Sequence, residues 1–266
     1  MKLKKSTAAI MYIALIFFLL IWIFPIWTAI SKSLQFNGWN SYISVLNNKE
    51  VSYFRVVINS FLIAGVTTII VVLITSLAGY AFSKMKFAGS KLIYFLLLAC
   101  MAVPVASVTM PLFFTIKSLH LTNTYLGVII PLVAFNALQM LLLWRNYFDG
   151  IPDEIIEAAR VDGCGALRIY WRILIPLSTP MIATTGVLTF VYSWNEYLIP
   201  LLLIRDESKY TVTLASTYFM ETRSQTPEMV AQEYAALILM TIPSIIVYLI
   251  SQRWLQAGIT SGAVKN

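Results

Sequence analysis

Charge is scarce in this chain. Of its 266 residues only 12% are Asp, Glu, Lys or Arg, while 59% are hydrophobic, and the mean hydropathy is +0.79. A soluble domain carries about 25% charged residues. A chain this apolar cannot cover a water-facing surface with polar groups, so lipid is its solvent. Histidine and cysteine are scarcer still. His120 is the only histidine; it falls in a short loop after an apolar run, with no serine or cysteine partner nearby in sequence, and reads as a plain loop residue. The two cysteines, Cys100 in an apolar run and Cys164 in a polar loop, belong at different depths, which argues against a disulfide between them. There is no CxxC, no Cys/His metal spacing, no HExxH, and no GxSxG followed by a suitable histidine, so neither a metal centre nor a catalytic residue is expected. There is no GxxxxGK[ST] either, so the chain should bind no ATP as a P-loop protein.

What the sequence does have is long apolar runs. A helix needs about 20 mostly apolar residues to span a bilayer, and six runs qualify: 8–30, 57–82, 92–116, 125–144, 181–204 and 234–251. The third is interrupted by Pro104 and Pro111. Backbone amides in a bilayer core must be bonded internally, and the runs lack the two-residue alternation of barrel strands, so helices are expected. The run from residue 8 follows a basic start, Met1 to Lys5, but is longer than a signal-peptide core and lacks a convincing cleavage site, so it reads as a retained span. Ala64, Gly65, Ala78, Gly79 and Ala81 in the second run suit close helix approach.

The formal net charge of +7 does not point to nucleic acid, because the basic residues form short clusters between apolar runs. Six spans place both termini on one side. Twelve of the nineteen Lys and Arg fall in the N-terminus, the loops 83–91 and 145–180, and the C-terminus. Basic excess in short loops marks the cytoplasmic face, so both termini are expected there.

Polar groups at depth are few. Glu196 is the only acidic residue well inside a run, within Ser193-Trp194-Asn195-Glu196-Tyr197 and shortly before Pro200, a cluster expected to break the helix. A lone carboxylate at the bilayer centre costs at least about 3 kcal/mol, so it should face protein or water. Two readings stand: Trp194, Asn195 and Glu196 line a solute path, or they form a packing hinge. Asn136 and Gln139, three residues apart, share a helix face and admit the same pair of readings.

The segment 145–180 is long, amphipathic and on the expected inner side. Pro152 suits a first helical position, Asp153 and Glu154 complement the helix dipole, Ile155, Ile156 and Ala159 supply an apolar face, and Gly163 stops the helix. A second short helix is expected over 166–174, ended by Pro176. Nothing in a bilayer requires such an object, and it reads as a peg for a partner protein.

These residues carry a resemblance. Glu157-Ala158-Ala159, three residues, Gly163, nine residues, Ile173, then Ile175-Pro176 resembles the EAA loop of permease subunits of binding-protein-dependent ABC importers. Ile175 stands where leucine is usual. The stretch from Ile151-Pro152 through Arg160-Val161-Asp162-Gly163 resembles the carbohydrate, maltose-type branch. Asn59-Ser60, the run 78–84 with Phe87-Ala88-Gly89, Thr122 to Gly127, Ser193 to Glu196, and the tail from Gln256 fit the same family. The resemblance implies an all-α integral membrane protein of type I ABC importer permease fold, a single transmembrane domain that lies in the bacterial cytoplasmic membrane and imports sugar. It implies a second permease subunit, different from this one, an ABC ATPase dimer that binds ATP and Mg, and an extracytoplasmic solute-binding protein. Glu157, Ala158, Ala159, Asp162, Gly163, Ile173 and Pro176 are then the ATPase-coupling residues. The tail also approaches the ATPase pair, although its Gly, Ser and Thr content alone reads as a flexible end. Thr222, Arg223, Ser224 and Gln225 mark the tip of an outer loop, 205–233, that approaches the binding protein. An importer for an amino acid, peptide or polyamine is the alternative. A secondary transporter or channel leaves the peg unexplained, and Glu196 lacks the intramembrane partners of a proton relay.

Overall fold

The structure, a computed structural model, describes residues 5–220 and 226–263. It is all helical among these residues. Four helices are long and apolar enough to cross a membrane: α1 (Lys5–Leu34), α3 (Tyr53–Lys84), α6 (Tyr125–Asp149) and α13 (Pro227–Ala263). A short α2 (Asn40–Leu46) joins the first two. Every residue from 11 to 27 of α1 is exposed. A helix bare around its whole circumference over 17 residues is tolerable only where the solvent is hydrocarbon.

The third apolar run is not one straight helix. It forms α4 (Ser90–Cys100) and α5 (Val105–Ser118), whose axes lie 100° apart. At 1.5 Å per residue they reach roughly 16 and 21 Å, short of the roughly 30 Å hydrocarbon core. Pro104 makes the break: it has no amide hydrogen to donate, and it drives the residue before it out of helical backbone. Pro111, expected to interrupt the run as well, lies inside α5 without ending it.

The fifth run is also divided. α10 (Thr179–Trp194) stops at the polar cluster and α11 (Leu198–Leu203) restarts beyond it, so the expected break at 195–197 is present. Upstream the structure corrects the expectation for Pro176. The second loop helix does not end before it. α8 (Ala166–Ile169), a π-helical turn (Tyr170–Leu174) and α9 (Ile175–Leu177) run continuously through the proline, and the chain then bends by 81° at Ser178 into α10. The Ile175 amide reaches back five residues to the Tyr170 carbonyl. That wider turn makes room for the Pro176 ring, which in a regular helix meets the carbonyl four residues back.

α3 and α6 form the central pair, α10 crosses them, and α13 packs on α10 and α1. Gly79 permits the central contact: a Cβ there would lie 2.7 Å from Trp144 Cβ and 3.1 Å from the Arg145 backbone nitrogen. Gly65 has nothing within 4 Å of the same construction, so it plays no such part. At the end of the bundle that carries the 145–180 loop, Trp144 stacks on Phe148 at 5.3 Å and Tyr80 on Tyr170 at 6.0 Å. At the other end Asn59 ties three elements together. Its Nδ2 donates to the Ser208 and Tyr210 carbonyls, each at 3.0 Å, and its Oδ1 accepts from the Tyr125 hydroxyl at 2.8 Å.

The outer segment 205–233 differs from a projecting loop. Its middle is α12 (Val212–Met220), whose Val212, Leu214 and Ala215 are buried, and α13 already begins at Pro227. The proposed tip, Thr222 to Gln225, lies outside the described residues. The Gly- and Ser-containing tail, read as flexible, continues α13 as helix to Ala263.

Candidate coupling surface and solute path

The helix expected in the 145–180 segment is present and firmly mounted. α7 (Asp153–Val161) starts beside the end of α3, where Lys84 Nζ donates to the Ile151 carbonyl and to Asp153 Oδ1, both at 2.6 Å. The Lys84 side chain is 6% exposed while that of Asp153 is 75% exposed. The hydrogen bond from Lys84, and then its charge, hold the Asp153 carboxyl below its ordinary pKa. Next to this, Ser83 Oγ donates to Asp149 Oδ1 at 2.6 Å, and the Arg145 guanidinium lies over the Tyr94 ring at 3.9 Å.

The other end of α7 closes in a Schellman turn. Gly163 has φ +77°, its amide bonds the Arg160 carbonyl at 3.0 Å, and the Cys164 amide bonds the Ala159 carbonyl at 2.9 Å. Asp162 is exposed and its own amide bonds the Ala158 carbonyl. Cys164 packs half-buried behind the turn, and both cysteines are free thiols.

Helical spacing divides the expected coupling residues between two faces. Ile156 and Ala159 are buried in one cluster with Trp144, Phe148, Ile169, Tyr170 and Leu174, against which Ile173 packs half-buried. Glu157 and Ala158 are exposed on the opposite face, and Pro176, in α9, is exposed too. Ala159, taken as part of a smooth docking face, is therefore part of the mount. Ile155 belongs with the outward residues, being exposed rather than inside the apolar face. The same loop segment also leaves Val161, Leu167 and Trp171 exposed. The result is a short helix fixed at both ends that presents a carboxylate and several apolar side chains outward.

The polar residues at depth also separate. Asn136, Gln139 and Glu196 line one cavity of about 640 Å³ between α4, α5, α6 and the α10–α11 break, together with Cys100 and Tyr192. Asn136 turns its Nδ2 onto the Leu132 carbonyl of its own helix at 2.8 Å, while Gln139 is exposed. Glu196 Oε1 accepts the Ile199 amide at 3.1 Å and so caps the first turn of α11. Trp194 and Asn195 lie elsewhere, along a groove between α10 and α13. The Trp194 indole is buried and donates to Ser244 Oγ at 2.6 Å.

Sequence reasoning missed several of these parts. Lys84 counts in the sequence as one more inner-face charge, and nothing there shows that it is buried. Tyr170, whose hydroxyl meets Ser76 Oγ at 2.7 Å, carries no signal beyond its aromatic character. Asn123, in left-handed backbone at φ +58°, accepts the Arg205 and Asp206 amides on its Oδ1 and ties the α5–α6 turn to the end of α11.

Apolar spans, two of them broken beside a cavity that holds Asn136, Gln139 and Glu196, and an exposed short helix clamped at both ends fit a membrane transport subunit. Residues 72–261 match the family described as binding-protein-dependent transport system inner membrane component, and the chain belongs to that family. It is a permease subunit of the ABC importer class. It is 35% identical over 214 residues to the sn-glycerol-3-phosphate transport system permease protein UgpE of Yersinia pestis, covering 80% of this chain and 75% of that one. It is 32% identical over 226 residues to the trehalose/maltose transport system permease protein MalG of Thermococcus litoralis, covering 85% and 81%. Its fold matches a chain of a bacterial ABC transporter involved in import of the acidic polysaccharide alginate, with a TM-score of 0.80, 24% identity and coverage of 95% and 99%.

Proposed function

We propose that this chain forms half of the translocation path of an ATP-driven carbohydrate importer and couples that path to a separate ATPase through α7. The observation that carries the coupling role is the two-faced α7: Ile156 and Ala159 locked inward, Glu157 and Ala158 presented outward, with Lys84 and the Gly163 turn holding the ends. A short helix held this way transmits a push as a rigid body. ATP and Mg belong to the ATPase dimer. A second, different permease completes the path, and a solute-binding protein delivers cargo at the outer face. The charge bias supports both termini on the cytoplasmic side of a bacterial inner membrane. Relatives named for trehalose/maltose and for sn-glycerol-3-phosphate support a polyhydroxylated cargo over an amino acid or peptide.

The test is purification in detergent with neighbouring gene products, followed by uptake in reconstituted vesicles. A second permease and an ATPase should co-purify. Glu157→Lys should insert normally and lose ATP-driven uptake; normal uptake by that variant refutes the docking role.

A further inference from the structure

We infer that Glu196 makes this half of the path exclude anions, so that the cargo is an uncharged polyhydroxylated solute and not a phosphate- or uronate-bearing one. The cavity that brings together Asn136, Gln139, Tyr192 and Glu196 has one acidic residue in its lining and no Lys, Arg or His. The rest of the wall is apolar apart from Cys100. A carboxylate in a low-dielectric cleft focuses its field across the opening and enriches cations over anions by roughly tenfold or more. Acidic side chains lining a narrow path select against anions in the same way. A phosphate ester or a uronate entering here meets like charge with no cation to offset it, whereas a neutral sugar meets amide, phenol and carboxylate groups able to bond its hydroxyls. The position is built in. Glu196 sits in the three-residue break between α10 and α11, where its Oε1 caps α11 through the Ile199 amide and its backbone carbonyl accepts the Thr213 hydroxyl at 2.6 Å. The carboxylate is thus held at the cavity wall. The inference separates this chain from a relative that is 35% identical to it over 214 residues and is named for a phosphate ester. Its statement about cargo rests on the importer reading above; its statement about the cavity does not.

Cys100 lines the same cavity and is a free thiol, which supplies a reporter. The intact complex, carrying Cys164→Ser in this chain, is treated with cationic trimethylammonium-ethyl or anionic sulfonato-ethyl methanethiosulfonate. Modification of Cys100 is followed by mass spectrometry, and rates are normalised to those of a small free thiol. The cationic reagent should be favoured by about tenfold or more, and Glu196→Gln should bring the ratio close to one. A wild-type ratio near one, a ratio unmoved by Glu196→Gln, or no reaction with either reagent overturns the inference. In a second arm the complex with its binding protein takes up neutral oligosaccharides but not uronate- or phosphate-bearing ones. Equal uptake of the anionic solutes overturns the inference and leaves the carbohydrate reading standing. Uptake of neither class, with the reagent ratio intact, refutes the carbohydrate reading and leaves the cavity selectivity standing.

Discussion

Replacing Lys84 by methionine keeps the stem that fills its buried site and removes the ammonium that moors α7. Two bonds are lost, of different worth. The Ile151 carbonyl is half-buried and loses its 2.6 Å partner, and a buried acceptor left without one costs about 1–3 kcal/mol. The bond to Asp153 contributes less, because that carboxylate stands 75% exposed in water and is screened. The loss is local, since the apolar cluster behind α7 does not involve Lys84. The measurement is hydrogen exchange of the α7 amides in lipid nanodiscs, which reads the free energy of local opening. With 1.4 kcal/mol per factor of ten, exchange across α7 should accelerate about 5- to 140-fold, with α3 and α6 unchanged. Asp153→Asn should have a smaller effect than Lys84→Met. Exchange in Lys84→Met within twofold of wild type, or an equal effect from Asp153→Asn, refutes the mooring argument. The pH dependence follows from the lowered pKa of Asp153. A depressed carboxyl contributes stability above its unfolded pKa, here 3.8, and loses it as pH falls through the lower folded value. After correction for intrinsic exchange, protection of α7 should therefore be flat between pH 8 and 5 and fall only in stronger acid.

Gly79→Ala should destabilise the detergent-solubilised chain by about 1–3 kcal/mol or more in thermal unfolding, because its Cβ meets the Trp144 Cβ and backbone rather than a movable side-chain tip. Gly65→Ala, with open space at that position, should be neutral or stabilise by up to about 1 kcal/mol, and a matching loss in both variants refutes the close-packing account. Trp194→Phe should loosen α10 from α13, chiefly through lost volume, since a hydrogen bond between membrane helices averages only about 0.6 kcal/mol. A double-mutant cycle with Ser244→Ala that returns a coupling well above about 1 kcal/mol refutes that ranking.

What the sequence could show followed from what a bilayer demands. Lipid requires long apolar runs and backbone satisfied within helices, so the runs were legible. Proline geometry made the break at Pro104 legible too. The same rule failed at Pro111 and at Pro176, where respectively an intact helix and a π turn absorb the ring; helix register decides that, and sequence spacing does not reveal it. The inward and outward faces of α7 were only half legible. Ile156 and Ala159 face in, but Ile155, equally apolar, does not, because the stack of Trp144, Phe148 and Tyr170 lies on one side only. Asn136 and Gln139 were placed together by their three-residue spacing, and Glu196 joins them from the break between α10 and α11. Trp194, two residues before Glu196, points away because α10 ends between them and the chain turns.

That separation of neighbours matters for how a push at α7 reaches the cavity. α7 is fixed to the ends of α3 and α6 by Lys84 and by the cluster around Trp144 and Phe148. α6 carries Asn136 and Gln139 of the cavity wall directly, so these side chains move with the peg. Glu196 is joined to that path less directly: α11 packs on α6 through Ile199 and Leu203 against Val128, Ile129 and Leu132, while Glu196 lies in the break before α11. It belongs to a break beyond α10, which is itself joined to the α8–α9 segment through the 81° bend at Ser178. Its carbonyl and the Asn123 contacts at the end of α11 fasten it to the outer segment, and Asn59 pins that segment from within. The amide side of the cavity is thus fixed near α7 through α6, and at the other end α6 shares with Glu196 the ties made by Tyr125, Asn59 and Asn123. Under a tilt of the α3–α6 pair at the α7 end, Ser178 and the 195–197 break are the points where the chain can yield. A packed pair is stiff and an interrupted helix is not, so motion should concentrate at these two breaks and change the cavity without unfolding any span.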